Sequence, residues 1–270
     1  MFLFINFYYL YHTKKQGCSK NGNRQGRRKG KRINFRGNMT FNEIVDTLHS
    51  LANPEKVVFK KKKFGIVAQN SLGIYHADLK VLAKDIGKDS GLAIRLFDTG
   101  IFEARILCSK IFDPKDLTYL QMDDWAMTFE NWEICDSFCM GLFAKTPLAS
   151  AKIYEWSSRG PEFEKRAAFA TLAAFCMAEK RALNETFEAF LPILVRESCD
   201  DRIYVKKAVN WALRSIGKRN VDLKQKALAT AEKILSHETK SGNWIAKDAI
   251  RELTKEKLNV LDYPRNIYRP

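Results

Sequence analysis

From residue 40 onward the apolar positions recur at the three- and four-residue spacing of amphipathic helices, and no stretch alternates as a strand would. The pattern predicts helices near 41–52, 55–63, 76–87, 90–98, 101–112, 117–128, 130–144, 148–158, 162–179, 184–197, 202–218, 221–236 and 243–257. Between them stand "ANPEK", "NSLG", "DTG", "FDPKD", "KTP", "SRGPE" and "KRN", rich in the residues that end helices and start turns. Connections this short set successive helices antiparallel.

Five of these helices share a local signature, a polar or charged residue followed by a small one: "FEARILCS", "CDSFCMGL", "KRAAFATL", "KKAVNWAL" and "KDAIRELT". The polar members are Glu103, Asp136, Arg166, Lys207 and Asp248, at intervals of 33, 30, 41 and 41 residues. Their small partners are Ala104, Ser137, Ala167, Ala208 and Ala249. A small residue lets a neighbouring helix come close, and its polar neighbour then faces a surface shared by successive repeats. The expected fold is all-α, a HEAT-like helical-repeat solenoid (an α-α superhelix) of about six helix pairs, since such repeats run to ~40–47 residues. Glu103, Asp136, Arg166 and Lys207 are expected along one side of it.

Charge divides the chain unevenly. The formal net charge is +15, yet residues 1–38 hold ten Lys/Arg and no acid, which leaves 36 basic against 31 acidic residues, or +5, beyond them. The first segment, "MFLFINFYYLYHTKKQGCSK", has an apolar run shorter than the ~20 residues of a bilayer span, and it lacks the basic start and small-residue site of a secretory signal. Residues 1–38 read as a basic, disordered extension, either a DNA-tethering arm or a start codon placed too early, since Met39 directly precedes the helix opening "TFNEIVDTL". The six cysteines form no CxxC pair and no metal-ligand spacing; most lie in apolar runs and read as small buried hydrophobes. A reducing cytoplasm suits them.

Four-residue neighbours on the polar positions assemble a candidate surface. Trp132 lies one helical turn before Asp136, Trp211 one turn after Lys207, with Arg214 continuing that stripe, and Glu162 one turn before Arg166. Arg and Lys suit phosphates, and indoles offer flat faces to sugars, bases or cations. The last repeat copies the N-W-x-x-x-D of "NWEICD" in "NWIAKD", with Trp244 and Asp248, so the pair also reads as a packing device. "FKKKKFG", residues 59–65, reads as a solvated helix face or a phosphate-binding patch. His49, His76 and His237 are dispersed and suggest neither a metal site nor a triad, and no P-loop, GxGxxG or GxSxG motif occurs.

The order and spacing of "KFGIVAQNSLGIYHADLKVLAKDIGK", "GIFEARILCSKI", "NWEICDSFC", "EFEKRAAFATLA" and "YVKKAVNWALRSIGK" resemble the AlkD-type DNA alkylation repair glycosylases, over roughly residues 40–257. The resemblance makes residues 39–270 a HEAT-like repeat DNA alkylation repair domain. It implies that Asp136 is the catalytic aspartate, Trp132 the aromatic one turn before it, Arg166 the arginine that meets DNA near the lesion, and Trp211 the second aromatic of the cleft. Type members often carry two tryptophans before the aspartate, where this chain has Asn131 and Trp132, and their early-helix tyrosine has no counterpart in "KKKKFGI".

The implied reaction is hydrolysis of the N-glycosidic bond of a purine alkylated at N3 or N7 in duplex DNA. Such a base is already cationic and leaves readily, so one carboxylate suffices to stabilise the oxocarbenium-like sugar and orient water. Phosphate contacts fall to Arg166, Lys207 and Arg214. The expected protein acts as a monomer, without cofactor, metal or membrane. Two other classes fit the same solenoid: a catalytically silent binder of branched or damaged nucleic acid, in which Asp136 is dispensable, and a protein-binding HEAT scaffold.

Overall fold

The computed structural model describes residues 39–264, so the reading of residues 1–38 as an extension falls outside them. Fourteen α-helices and one 3-10 turn make up the regular structure of the described residues, which contain no strand. In chain order they are α1 (Phe41–Ser50), α2 (Pro54–Phe64), α3 (His76–Ile86), α4 (Ser90–Asp98), α5 (Phe102–Ile111), α6 (Tyr119–Ala126), α7 (Trp132–Gly141), the 3-10 turn Phe143–Lys145, α8 (Ala149–Ser157), α9 (Glu162–Ala178), α10 (Asn184–Glu188), α11 (Leu191–Glu197), α12 (Ile203–Gly217), α13 (Val221–Leu235) and α14 (Lys240–Leu253). The all-α, HEAT-like reading holds.

Local chemistry sets many of the starts. Thr40 and Glu43 form a reciprocal capping box on α1, and Asn53, Asp89, Thr118, Asn131, Asn220 and Thr239 each accept a first-turn N–H with the side chain. Three predicted helices differ by more than fraying at their ends. Residues 184–197 break into α10 and α11 because Pro192 has no N–H to give and is tolerated only in a first turn. Residues 130–144 end as α-helix at Gly141 and finish in the 3-10 turn. The last helix starts at Lys240, earlier than predicted, under the Thr239 cap.

The helices that carry the repeated polar-small signature are α5, α7, α9, α12 and α14, and each packs on the next. They form one layer. α4, α8 and α13 lie against α5, α9 and α12 from the other side. Ala104, Ala167, Ala208 and Ala249 are wholly buried and Ser137 nearly so, as close helix contact requires. Gly141 shows how close: a Cβ there would stand 2.9 Å from the Ser109 carbonyl oxygen of α5, so no larger residue fits without a shift. The core is aromatic at this level, with Phe138 ringed by Phe97, Trp125, Phe129 and Phe143 at 5.3–5.9 Å between centroids.

Cys108, Cys135, Cys139 and Cys176 are buried, and burial pushes the Cys176 thiol up to about 12, so these behave as small apolar groups; Cys199 is exposed. No helix of the described residues is long and apolar enough to cross a membrane. Glu103 departs from expectation. Its side chain does not line the shared surface but lies fully buried, accepting the backbone N–H groups of Leu72, Gly73 and Ile74 and the Ser71 hydroxyl. A turn with several inward N–H groups needs an acceptor, and a buried carboxylate supplies it.

Candidate nucleic-acid interface and reactive carboxylate

Asn131 both starts α7 and fixes it. Its Oδ1 accepts from the N–H groups of Glu133 and Ile134, while its Nδ2 donates to the Val67 carbonyl at 3.0 Å. Trp132 follows, half-buried, and its indole N–H donates to the Phe64 carbonyl at 3.0 Å, at the end of α2. Glu133 lies beneath, held at 3.0 Å by Lys60 and at 3.0 Å by His76. Burial alone would raise the Glu133 carboxyl; the His76 and Lys60 contacts outweigh it and leave it below the usual carboxylate range. Four contacts thus tie the N-terminus of α7 to α2, the loop after it and α3.

One turn on, Asp136 meets Arg166 of α9 in a two-pronged ion pair, Nε to Oδ1 at 2.9 Å and Nη2 to Oδ2 at 2.8 Å. The Asp136 side chain keeps 18% of its surface and Arg166 only 7%. Burial pushes the Asp136 carboxyl above its ordinary range, and the guanidinium pulls it back without cancelling the rise. Burial works against the charge of Arg166 too, but Asp136 outweighs it and the guanidinium binds its proton more firmly than usual.

Arg166 has a second task. Its Nη1 donates to the Tyr204 carbonyl at 2.7 Å, while Glu162, one turn earlier on α9, accepts the Tyr204 N–H at 3.2 Å. Tyr204 is in the first turn of α12, where helix N–H groups lack internal partners, so Glu162 caps α12 as Arg166 aligns it. The Tyr204 ring stacks obliquely on Phe163 at 5.3 Å, and its hydroxyl would lie 3.1 Å from a Cβ placed on Gly65. Gly65 ends α2 at φ 65°, where glycine is favoured, so a larger residue there is both strained and crowded.

Lys207 follows on α12, half-buried, and burial, Arg166 and Lys206 together depress its pKa. Trp211, a turn further, is half-buried against the core edge. The structure therefore brings Asp136 and Arg166 together at the contact between α7, α9 and the start of α12, with Lys207 under the influence of Arg166, while the Trp132 indole is turned to the end of α2. Arg214 stands apart. It is buried towards α14, with Nε 3.4 Å from the Asn210 carbonyl and 3.8 Å from the Asp248 carboxylate. Asp248 also takes Arg251, so the second N-W-x-x-x-D stretch is spent within α14 and on α12.

Sequence reasoning did not find Tyr204, Glu133 or the part played by Lys60. Periodicity marks Glu133 only as a neighbour on α7, and nothing local shows a lysine of "FKKKKFG" reaching it.

Residues 44–253 match the family described as DNA alkylation repair enzyme. No curated protein matches the chain. One solved structure, of a family described as related to the HEAT-like repeat DNA glycosylases with affinity for branched DNA structures, superposes with a TM-score of 0.65. It is 19% identical, and the alignment covers 82% of this chain and 97% of that one, a likeness of fold. With the family match spanning most of the helical layer, Asp136, Arg166 and both tryptophans included, the chain belongs to the DNA alkylation repair enzyme family.

Proposed function

We propose that this protein is a DNA glycosylase that hydrolyses the N-glycosidic bond of purines carrying a cationic N3- or N7-alkyl group in duplex DNA. The observation that carries the reading is Asp136, a carboxylate that keeps part of its surface open to solvent while paired with the Arg166 guanidinium, on the layer of helices that the repeated signature marks. As the alkylated base leaves with its electron pair, the sugar gains positive charge, and the Asp136 carboxylate stabilises it and orients the water that attacks C1′. The base departs neutral and needs no proton from the protein. Trp132 is immobilised by its bond to Phe64 and offers a rigid wall, and Trp211 the second aromatic surface.

Arg166 spends three N–H groups on Asp136 and Tyr204, and a guanidinium has five, so it retains donors for a phosphate beside the lesion. Lys207 and Arg214 add phosphate contacts, the latter by releasing Asp248. The protein works as a monomer in the cytoplasm, without cofactor. The decisive experiment is release of 7-methylguanine and 3-methyladenine from methylated duplex DNA, followed by chromatography of the freed bases.

Two observations favour a second reading, a silent binder of branched DNA: Arg166 neutralises Asp136 through two hydrogen bonds, and the solved relative belongs to a family with affinity for branched DNA structures. Binding without base release from any alkylated duplex would select it. A protein that bound no DNA would point instead to a protein-binding scaffold.

A further inference from the structure

Among the helices of the described residues, α2 alone has no buried residue. It carries five lysines and one glutamate in eleven residues. Phe64 reaches the core edge; much of the rest of its hold on the body is polar, through Lys60 to Glu133, Trp132 to the Phe64 carbonyl and, just beyond the helix, Asn131 to the Val67 carbonyl. Val57 is half-buried towards Gly73, while Val58 and Phe59 are left outside. Phe59 is 43% exposed, and Tyr75, at the start of α3, is 48% exposed.

Cations are threaded between these rings. The Lys56 ammonium lies 5.4 Å from the Phe59 centroid and 4.8 Å from that of Tyr75, so one cation stands between two exposed rings. The Lys63 ammonium lies 5.1 Å from the Phe59 centroid, and Lys61 and Lys62 are exposed. Exposed rings cost free energy in water, and the lysines alone would serve a duplex backbone or an acidic peptide without them. Flat apolar faces alternating with ammonium groups match one polyanion in particular, a strand whose bases are unpaired.

We propose that α2 and Tyr75 form a stacking platform for an unpaired DNA strand, such as a flap or branch arm, with bases on Phe59 and Tyr75 and phosphates on Lys56 and Lys63. Each ammonium now over a ring would move to a phosphate as a base takes the ring face. The platform adjoins the proposed lesion site, since Trp132 joins the end of α2 to α7, and the duplex half of this picture rests on the function proposed above.

The test uses the full chain and fluorescence anisotropy with a blunt duplex and the same duplex bearing a single-stranded oligothymidine arm. Phe59→Ala and Tyr75→Ala should each weaken armed-duplex binding by about tenfold, the loss of one base stack, and leave blunt-duplex binding unchanged. Lys63→Gln should lower the salt dependence for the armed probe only. Because the replaced side chains are exposed, thermal unfolding should match wild type. Equal weakening on both probes, or no weakening on either, would overturn the platform while leaving the duplex reading standing. Loss of binding to phosphatidylserine vesicles in place of the armed duplex would assign the patch to a membrane and also overturn it. No binding to either DNA would overturn both proposals.

Discussion

Asp136 and Arg166 lie on adjacent helices, thirty residues apart, and meet through two nearly parallel bonds of 2.9 and 2.8 Å. Each restrains the other: the guanidinium holds the carboxylate in one orientation and offsets part of the rise that burial causes in its pKa. Pre-set orientation is what an electrostatic catalyst needs, because the group then does not reorganise as charge develops.

The pair gives a prediction about pH. Asp136 must be ionised to stabilise the sugar cation, so release falls as pH drops through its pKa. Arg166→Gln removes the cation that pulls this pKa down, and the carboxyl rises further under burial. The acid limb of single-turnover release, followed with saturating enzyme from about pH 4 to 8, should therefore move to higher pH than in wild type. An unmoved limb would show that another group titrates.

A second pH effect concerns stability alone. Glu252 of α14 accepts from Lys218 at 2.7 Å and from Lys255, and these lysines outweigh burial to hold its carboxyl at about 2. The folded pKa lies below the unfolded value of about 4.3, so the stabilisation is complete above that value and is lost as pH falls through about 2. After allowance for solvent screening it amounts to about 1 kcal/mol. Urea midpoints of Glu252→Gln should lie below wild type at pH 7 and converge with it near pH 2. A constant gap would assign the effect to packing.

Binding can be dissected by salt. Each phosphate neutralised contributes about 0.9 to the slope of log affinity against log salt. Lys207→Ala should reduce the slope by roughly that amount without altering sequence preference. Arg214→Ala should reduce it similarly but also destabilise the fold, because Asp248 loses a buried partner. Slopes that stay at the wild-type value in both would place the DNA on another face.

Much of this is legible in the sequence, and the reasons differ by residue. The inner row α5, α7, α9, α12 and α14 was legible because a small residue at each helix contact recurs as the repeats stack, and Ala104, Ala167, Ala208 and Ala249 show the burial this demands. Asp136, Arg166 and Lys207 stood out for the same reason. Their mutual pairing did not, since contacts between helices depend on the rotation of each helix, which periodicity fixes only within about one residue position. Glu103 shared the signature yet turned inward, because the 71–74 turn presents N–H groups that local sequence does not advertise. Lys60 read as part of a solvated run and instead crosses to Glu133, a contact 73 residues away.

The closing prediction exploits the copied stretch. Asn131 caps α7, so Trp132 and Asp136 occupy its first and second turns, whereas Asn243 lies inside α14, where Asp248 is 8% exposed and bound to Arg214 and Arg251. Identical spacing therefore produces one carboxylate at the meeting of α7, α9 and α12 and another spent on structure. Asp136→Asn should keep duplex binding and lower release of 7-methylguanine by on the order of 10²-fold, the usual cost of losing one preorganised electrostatic group. Asp248→Asn should leave release per folded molecule near wild type; each variant strands a buried arginine, Arg166 or Arg214, and should unfold at lower urea, by about 3 kcal/mol. Lesions of similar size without charge should react poorly even with the wild type, since the leaving group brings the positive charge. Single-turnover release and urea unfolding of both variants decide the matter. Equal release by the two, or full activity of Asp136→Asn, would make the Trp132–Asp136 pair a packing device like its copy.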